Sequence, residues 1–131
     1  MRKWSDPIVY SHVLFVFNAA TWISVGSLAA GIVLLASTVA STMYHLHREE
    51  HAMWQGIDYI AAVGALGYTL YLTLPLMINT QIAECALILF AGILSKNYAH
   101  EGSYRIWHTL WHVLIALGQA FLAWVYWTGT A

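Results

Sequence analysis

The chain has 131 residues, of which 60% are hydrophobic and 8% charged, and its formal net charge is -1. An ordinary soluble domain is about a quarter charged, so this composition argues against a water-soluble fold. The 5 Lys and Arg residues are scattered and form no basic stripe, which excludes nucleic acid as a partner.

A spanning helix needs about 20 predominantly apolar residues, and punctuation divides the chain into five such segments. They predict an all-α integral membrane protein, a single transmembrane domain over residues 1–131 built as a bundle of about five transmembrane helices. The first segment runs from Pro7 to Ser24. Its opening, Met1-Arg2-Lys3 and then an apolar run, imitates a signal peptide, but Asp6, His12 and Asn18 interrupt that pattern. The second, Ser27 to Leu46, is separated from the first only by Val25-Gly26, so four spans with a bent first segment stay open as an alternative. The third extends from Trp54 to Leu74. Its Ala61, Gly64 and Gly67 are read as a surface for close helix contact. Pro75 and Asn79 mark the turn into the fourth, Thr80 to Lys96. That segment carries Glu84, read as structural near the outer face, and Cys85, read as a small buried apolar residue with no disulfide partner. The fifth runs from Tyr104 to Trp127, with Ala116 and Gly118 as further contact positions.

Five spans put Arg2, Lys3, Arg48, Lys96 and Arg105 on or beside one face. The positive-inside rule makes that face cytoplasmic, with the amino terminus inside and the carboxyl terminus outside. Trp4 and Trp54 then anchor the inner interface, and Trp124, Tyr126 and Trp127 the outer one.

Ionisable residues inside a membrane are costly unless partnered, so each is a candidate functional residue. His45, Asp58, His108 and His112 all fall within roughly 15 Å of the cytoplasmic boundary at about 1.5 Å rise per residue. Residues four apart share a helix face, which pairs His108 with His112 and Ser41 with His45. Three neutral imidazoles, His45, His108 and His112, suit Zn²⁺ and leave the fourth tetrahedral position for water. Asp58 is then placed to take the water's proton or orient it, and Ser41 to donate to a developing oxyanion. A histidine pair facing the bundle interior can also simply bond to carbonyls, and paired histidines in a bundle can ligate haem, which would show as a Soret band. His12 lies at a depth suited to supporting the ligands, although an interfacial histidine bonded to a neighbour is the simpler reading. His47, Arg48, Glu49, Glu50, His51, His100 and Glu101 read as solvated loop residues.

At these positions the sequence resembles the CREST superfamily of membrane hydrolases, which includes alkaline ceramidases, adiponectin and progestin receptors, haemolysin III proteins and the myomaker-like group. The family pattern is Ser-x-x-x-His, an Asp on the next helix, and His-x-x-x-His on the last. This chain has Ser41-Thr-Met-Tyr-His45, then Asp58, then His108-Thr-Leu-Trp-His112. Tyr44 and Trp111 are similar to the family's flanking aromatics, and Tyr44 is a second candidate for a supporting role. The resemblance implies zinc on His45, His108 and His112, with Asp58 and Ser41 flanking the metal-bound water, and hydrolysis of a lipid amide or ester. It also implies a reduced form of a seven-helix core. The shorter bundle leaves its substrate chamber open to lipid or completed by a second copy in a homo-oligomer. Some members of the family are receptor-like or fusion-like, so a purely structural zinc is the competing expectation.

Overall fold

The computed structural model describes residues 6–47, 50, 52–98 and 103–131, which form helices and their connections with no strand among them. The expectations for Arg2, Lys3, Trp4, Arg48, Glu49, His51, His100 and Glu101 fall outside the described residues. Helix α1, Pro7–Tyr10, starts at Asp6, whose side chain accepts from the Ile8 amide at 3.1 Å, with proline in its first turn. Helix α2, Val13–Ser24, continues it after a break at Ser11 and His12. There the His12 amide bonds to the Val9 carbonyl and the Leu14 amide to that of Ser11, a local tightening to i→i−3. The first segment is therefore one bent unit, Pro7–Ser24.

Gly26 turns the chain with φ 97°, a left-handed conformation that glycine adopts without penalty. The Ser27 hydroxyl oxygen then accepts from the Ala30 amide to open α3, Leu28–Leu46. Helix α4, Ala52–Thr73, ends in a 3₁₀ turn, Leu74–Leu76, that contains Pro75. Helix α5 is Asn79–Asn97 and α6 is Tyr104–Thr130. Thr38, Thr42, Thr69, Thr73 and Ser95 each donate their hydroxyl to the carbonyl one turn back. Their polar groups are satisfied without leaving the helix.

Four helical units close into a ring, α2 on α3, α3 on α4, α4 on α6 and α6 back on α2, while α5 packs on the outer side of α6. Small residues dominate the shared core, with Ala19, Ala30, Ala65 and Ala123 around Trp22, Leu34 and Leu122. Two buried hydrogen bonds cross the ring: Asn18 Nδ2 donates to the Ala116 carbonyl at 3.0 Å, and Gln119 Nε2 to Thr69 Oγ1 at 3.2 Å. Large apolar side chains such as Phe17, Ile60, Val63, Tyr71, Leu87 and Ile106 lie outside.

Four helices, Pro7–Ser24, Leu28–Leu46, Ala52–Leu76 and Tyr104–Thr130, are long and apolar enough to cross a membrane. The fourth expected span corresponds to α5, which is long enough but is not among these four. Asn79, Gln81 and Glu84 near its start and Lys96 and Asn97 at its end shorten its apolar stretch. Gly64 and Gly67 do not make the close contacts expected of them, since a Cβ on either would meet nothing within 4 Å. Both lie on the outward side of α4, because that helix turns Ala65 and Thr69 to the core. Close approach occurs instead at Gly31, which faces Ile23 and the Ala19 carbonyl, at Gly92 against Trp111, and at Gly118 against Ile88. Cys85 is buried, as its apolar surroundings predict.

Candidate metal centre

The bundle end at which α1 and α6 begin and α3 and α5 finish carries the polar residues. His45 sits in the last turn of α3, while His108 and His112 occupy the first turns of α6, their ring centroids 4.8 Å apart. His12 arrives from the other side, because the break between α1 and α2 turns both Ser11 and His12 inward to full burial. Four buried imidazoles therefore meet. His12, His45 and His112 each bring one ring nitrogen within 4.8 Å of the other two, a group that can hold a metal ion. His108 joins through His45, with their Nε2 atoms 3.2 Å apart.

The hydrogen bonds behind the rings fix which nitrogens face inward. The Ser11 hydroxyl donates to the Ile8 carbonyl at 2.7 Å, so its oxygen accepts from Nδ1–H of His112 at 2.6 Å. Nε2 of His112 is left with its lone pair, the tautomer a metal ligand needs. Nδ1–H of His12 donates to the Val9 carbonyl at 3.0 Å, and Nε2 accepts from the Ser41 hydroxyl at 2.9 Å. The 3.2 Å between Nε2 of His45 and Nε2 of His108 is close to the roughly 3.3 Å edge of a tetrahedron with zinc–nitrogen bonds of about 2.0–2.1 Å. On donor chemistry and spacing, these residues fit a divalent ion that accepts imidazole.

A cavity of about 430 Å³ opens beside the rings, lined by Ser41, Tyr44, His45, Asp58, His108 and His112 together with Phe15, Leu34, Leu66, Trp111 and Ile115. The five expected site residues thus share one cavity. Tyr44 lies against His45 with ring centroids 5.1 Å apart, and Tyr104 against His108 at 4.9 Å. His12, expected in a supporting role, lies within the three-histidine group itself, with its Nε2 on the Ser41 hydroxyl. Ser41 also differs from expectation, because its hydroxyl hydrogen is directed at His12 and its oxygen is what remains for the cavity.

Ser11, Tyr104, Lys96 and Tyr59 carry no sequence motif and were not anticipated. Ser11 had one weak signal, a polar residue beside His12 within an apolar run. Lys96 Nζ donates to the Tyr59 hydroxyl at 3.0 Å and lies over the Tyr59 ring, 4.5 Å from its centroid, at the rim of the cavity. Arg105 pairs with Asp6 at 3.6 Å and ties the start of α6 to the start of α1. No protein-family model, curated protein or solved structure matches this chain.

Proposed function

We propose that the chain is a membrane-embedded zinc hydrolase that cleaves a lipid amide or ester. The observation that carries this reading is the convergence, in one apolar cavity, of inward-facing imidazoles with a carboxylate and a hydroxyl. Large apolar side chains outside and small ones within suit a bundle solvated by lipid. The order Ser41, His45, Asp58, His108, His112 supports a relationship to the CREST superfamily, in a form reduced from seven helices. By the positive-inside rule, the histidine end faces the cytoplasm.

His45, His108 and His112 hold the ion in this reading, while His12 is committed to Ser41. When bound, zinc supplies Lewis acidity, polarising a carbonyl and making water acidic near neutral pH. Asp58 takes the proton of the attacking water. Ser41, its own hydrogen directed to His12, accepts a hydrogen bond from that water and orients it. Water oxygen bonds to the acyl carbon, the C–N or C–O bond breaks, and the proton held by Asp58 passes to the leaving amine or alcohol. The apolar lining takes the acyl chain and excludes bulk water.

Zinc-loaded protein incubated with ceramides and phospholipids should release fatty acid, and Asp58→Asn should lose at least about a hundredfold of that rate, the scale of a general base. Absence of release from the wild type across amide and ester lipids overturns the reading.

One observation favours a second reading. His12, His45 and His112 form one group and His108 lies against His45, which brings together enough imidazoles to close a tetrahedral site, and closed sites are structural. In that case zinc only ties α1, α3 and α6 together, and Asp58→Asn leaves the protein's properties unchanged.

A further inference from the structure

We infer that the rim of the cavity, where Lys96 of α5 meets Tyr59 of α4, binds the anionic headgroup of a lipid. The inference deepens the hydrolase reading by naming its substrate class, and it rests on that reading for the word substrate.

Lys96 and Asp58 are the charged residues that line the cavity, and they stand on different helices. The Lys96 ammonium is held in place by three contacts. It donates to the Tyr59 hydroxyl at 3.0 Å and lies 4.5 Å from the centroid of the Tyr59 ring and 5.5 Å from that of Trp111. Trp111 is itself positioned, because Gly92 of α5 has no Cβ and lets the indole close on that helix. A Cβ there would stand 3.0 Å from Trp111 Cζ3. Trp111 directly precedes His112, so one short stretch of α6 sets both the histidine site and the seat of the cation.

The surrounding packing supplies the route. Helices α4 and α5 both pack on α6 and scarcely on each other, so the Lys96–Tyr59 hydrogen bond bridges the gap between them. Tyr59 and Val63 line the cavity and are also exposed on the outer surface, which makes this gap a lateral opening. Lys96 falls in the last turn of α5, at the end of the bundle where lipid headgroups lie if the helices span a bilayer. An ammonium has three N–H donors, and the Tyr59 hydroxyl, accepting from Lys96, keeps its own hydrogen to donate. Phosphate or carboxylate oxygens accept from both groups by charge-assisted bonds. With the headgroup there, the acyl chain follows the apolar lining past the histidines toward Leu34 and Ile115. A neutral headgroup makes neither charge-assisted bond.

A lysine near a helix carboxyl end can instead serve only the helix dipole and reach for the interface. That alternative predicts no preference among lipids. The test is thermal stabilisation of the zinc-loaded protein in detergent by short-chain phosphatidic acid, by diacylglycerol of the same acyl length, which lacks the phosphate, and by inorganic phosphate. The wild type should be stabilised at lower concentration by phosphatidic acid than by diacylglycerol. Lys96→Gln should raise that concentration roughly tenfold or more, the scale of a lost charged hydrogen bond, while Lys96→Arg largely restores it. In turnover, the same substitution should raise KM for anionic lipid and leave kcat nearly unchanged.

Equal response to the two lipids, or an unchanged preference in Lys96→Gln, overturns the inference. Equal stabilisation by inorganic phosphate overturns its lipid part. Lys96-dependent binding without turnover of any lipid defeats the hydrolase reading alone, whereas turnover without headgroup preference defeats this inference alone.

Discussion

Ser11 shows how much of the site depends on a residue with no chemical role of its own. Its hydroxyl passes the Ile8 carbonyl's demand for a proton on to His112, and so decides which nitrogen of that ring faces the cluster. Supporting partners of this kind typically contribute about 10- to 100-fold in metal affinity. Ser11→Ala should therefore weaken zinc binding by roughly that factor in a chelator competition, with the helices intact by circular dichroism, and an unchanged affinity would count against the assigned tautomer. The ligand set is tested by elemental analysis. His45→Ala, His108→Ala and His112→Ala should each lose the ion, whereas His12→Ala should retain it; loss of zinc from His12→Ala with retention in His108→Ala would exchange the two roles. That His45, Asp58, His108 and His112 lie near one end of the bundle was legible in the sequence from their spacing and their places along the helices, and they line one cavity. Ser11 was not, because its position depends on a helix break that no motif announces.

At the scale of the elements, the glycines divide by what faces them. Gly31 lies against the Ile23 side chain and, through its absent Cβ, 3.0 Å from the Ala19 carbonyl oxygen, so α2 and α3 meet at backbone distance. Gly31→Ala forces the two helices apart and should cost about 1–3 kcal/mol, the usual scale of overpacking, read as a lowered melting temperature in detergent. Gly64→Ala and Gly67→Ala meet open space and should leave the melting temperature unchanged or slightly raised. Loss of stability at Gly64 or Gly67 comparable to that at Gly31 would mean that something outside this chain covers α4. Composition marked all of these glycines alike. Which way each one points follows from the rotation of its helix, and α4 is set by burying Ala65, Thr69 and Thr73.

For the whole molecule, the ring of α2, α3, α4 and α6 encloses the core and α5 is attached from outside, yet α5 contributes Lys96 to the cavity rim. The proposed orientation places Glu50 and the starts of α1 and α6 on the cytoplasmic side and Ala131 on the other. In sealed vesicles of right-side-out orientation, with Cys85→Ser as background, an impermeant thiol reagent should label Ala131→Cys at once and Glu50→Cys only after permeabilisation. The reverse pattern would invert the assignment. Cys85, only 6% exposed, should resist the same reagent in the native protein and react on unfolding, which gives a direct readout of bundle integrity.

The sequence by itself determined the helices, their approximate ends and the position of each polar residue along its helix, because the rise per residue fixes position along an axis once the ends are marked. It also determined that His108 and His112 share a face, since the helical period is a local property. Only the tertiary structure decided which helices are neighbours, that the bend at Ser11 and His12 brings a fourth imidazole into the cluster, that Ser41 turns its hydrogen to His12, and that Lys96 reaches Tyr59. The physical reason is that helices apolar on every side carry little pattern to say which face turns inward. Rotation and neighbour are then set by close packing of small residues and by a few crossing hydrogen bonds, such as Asn18 to Ala116 and Gln119 to Thr69, that exist only once the bundle has assembled.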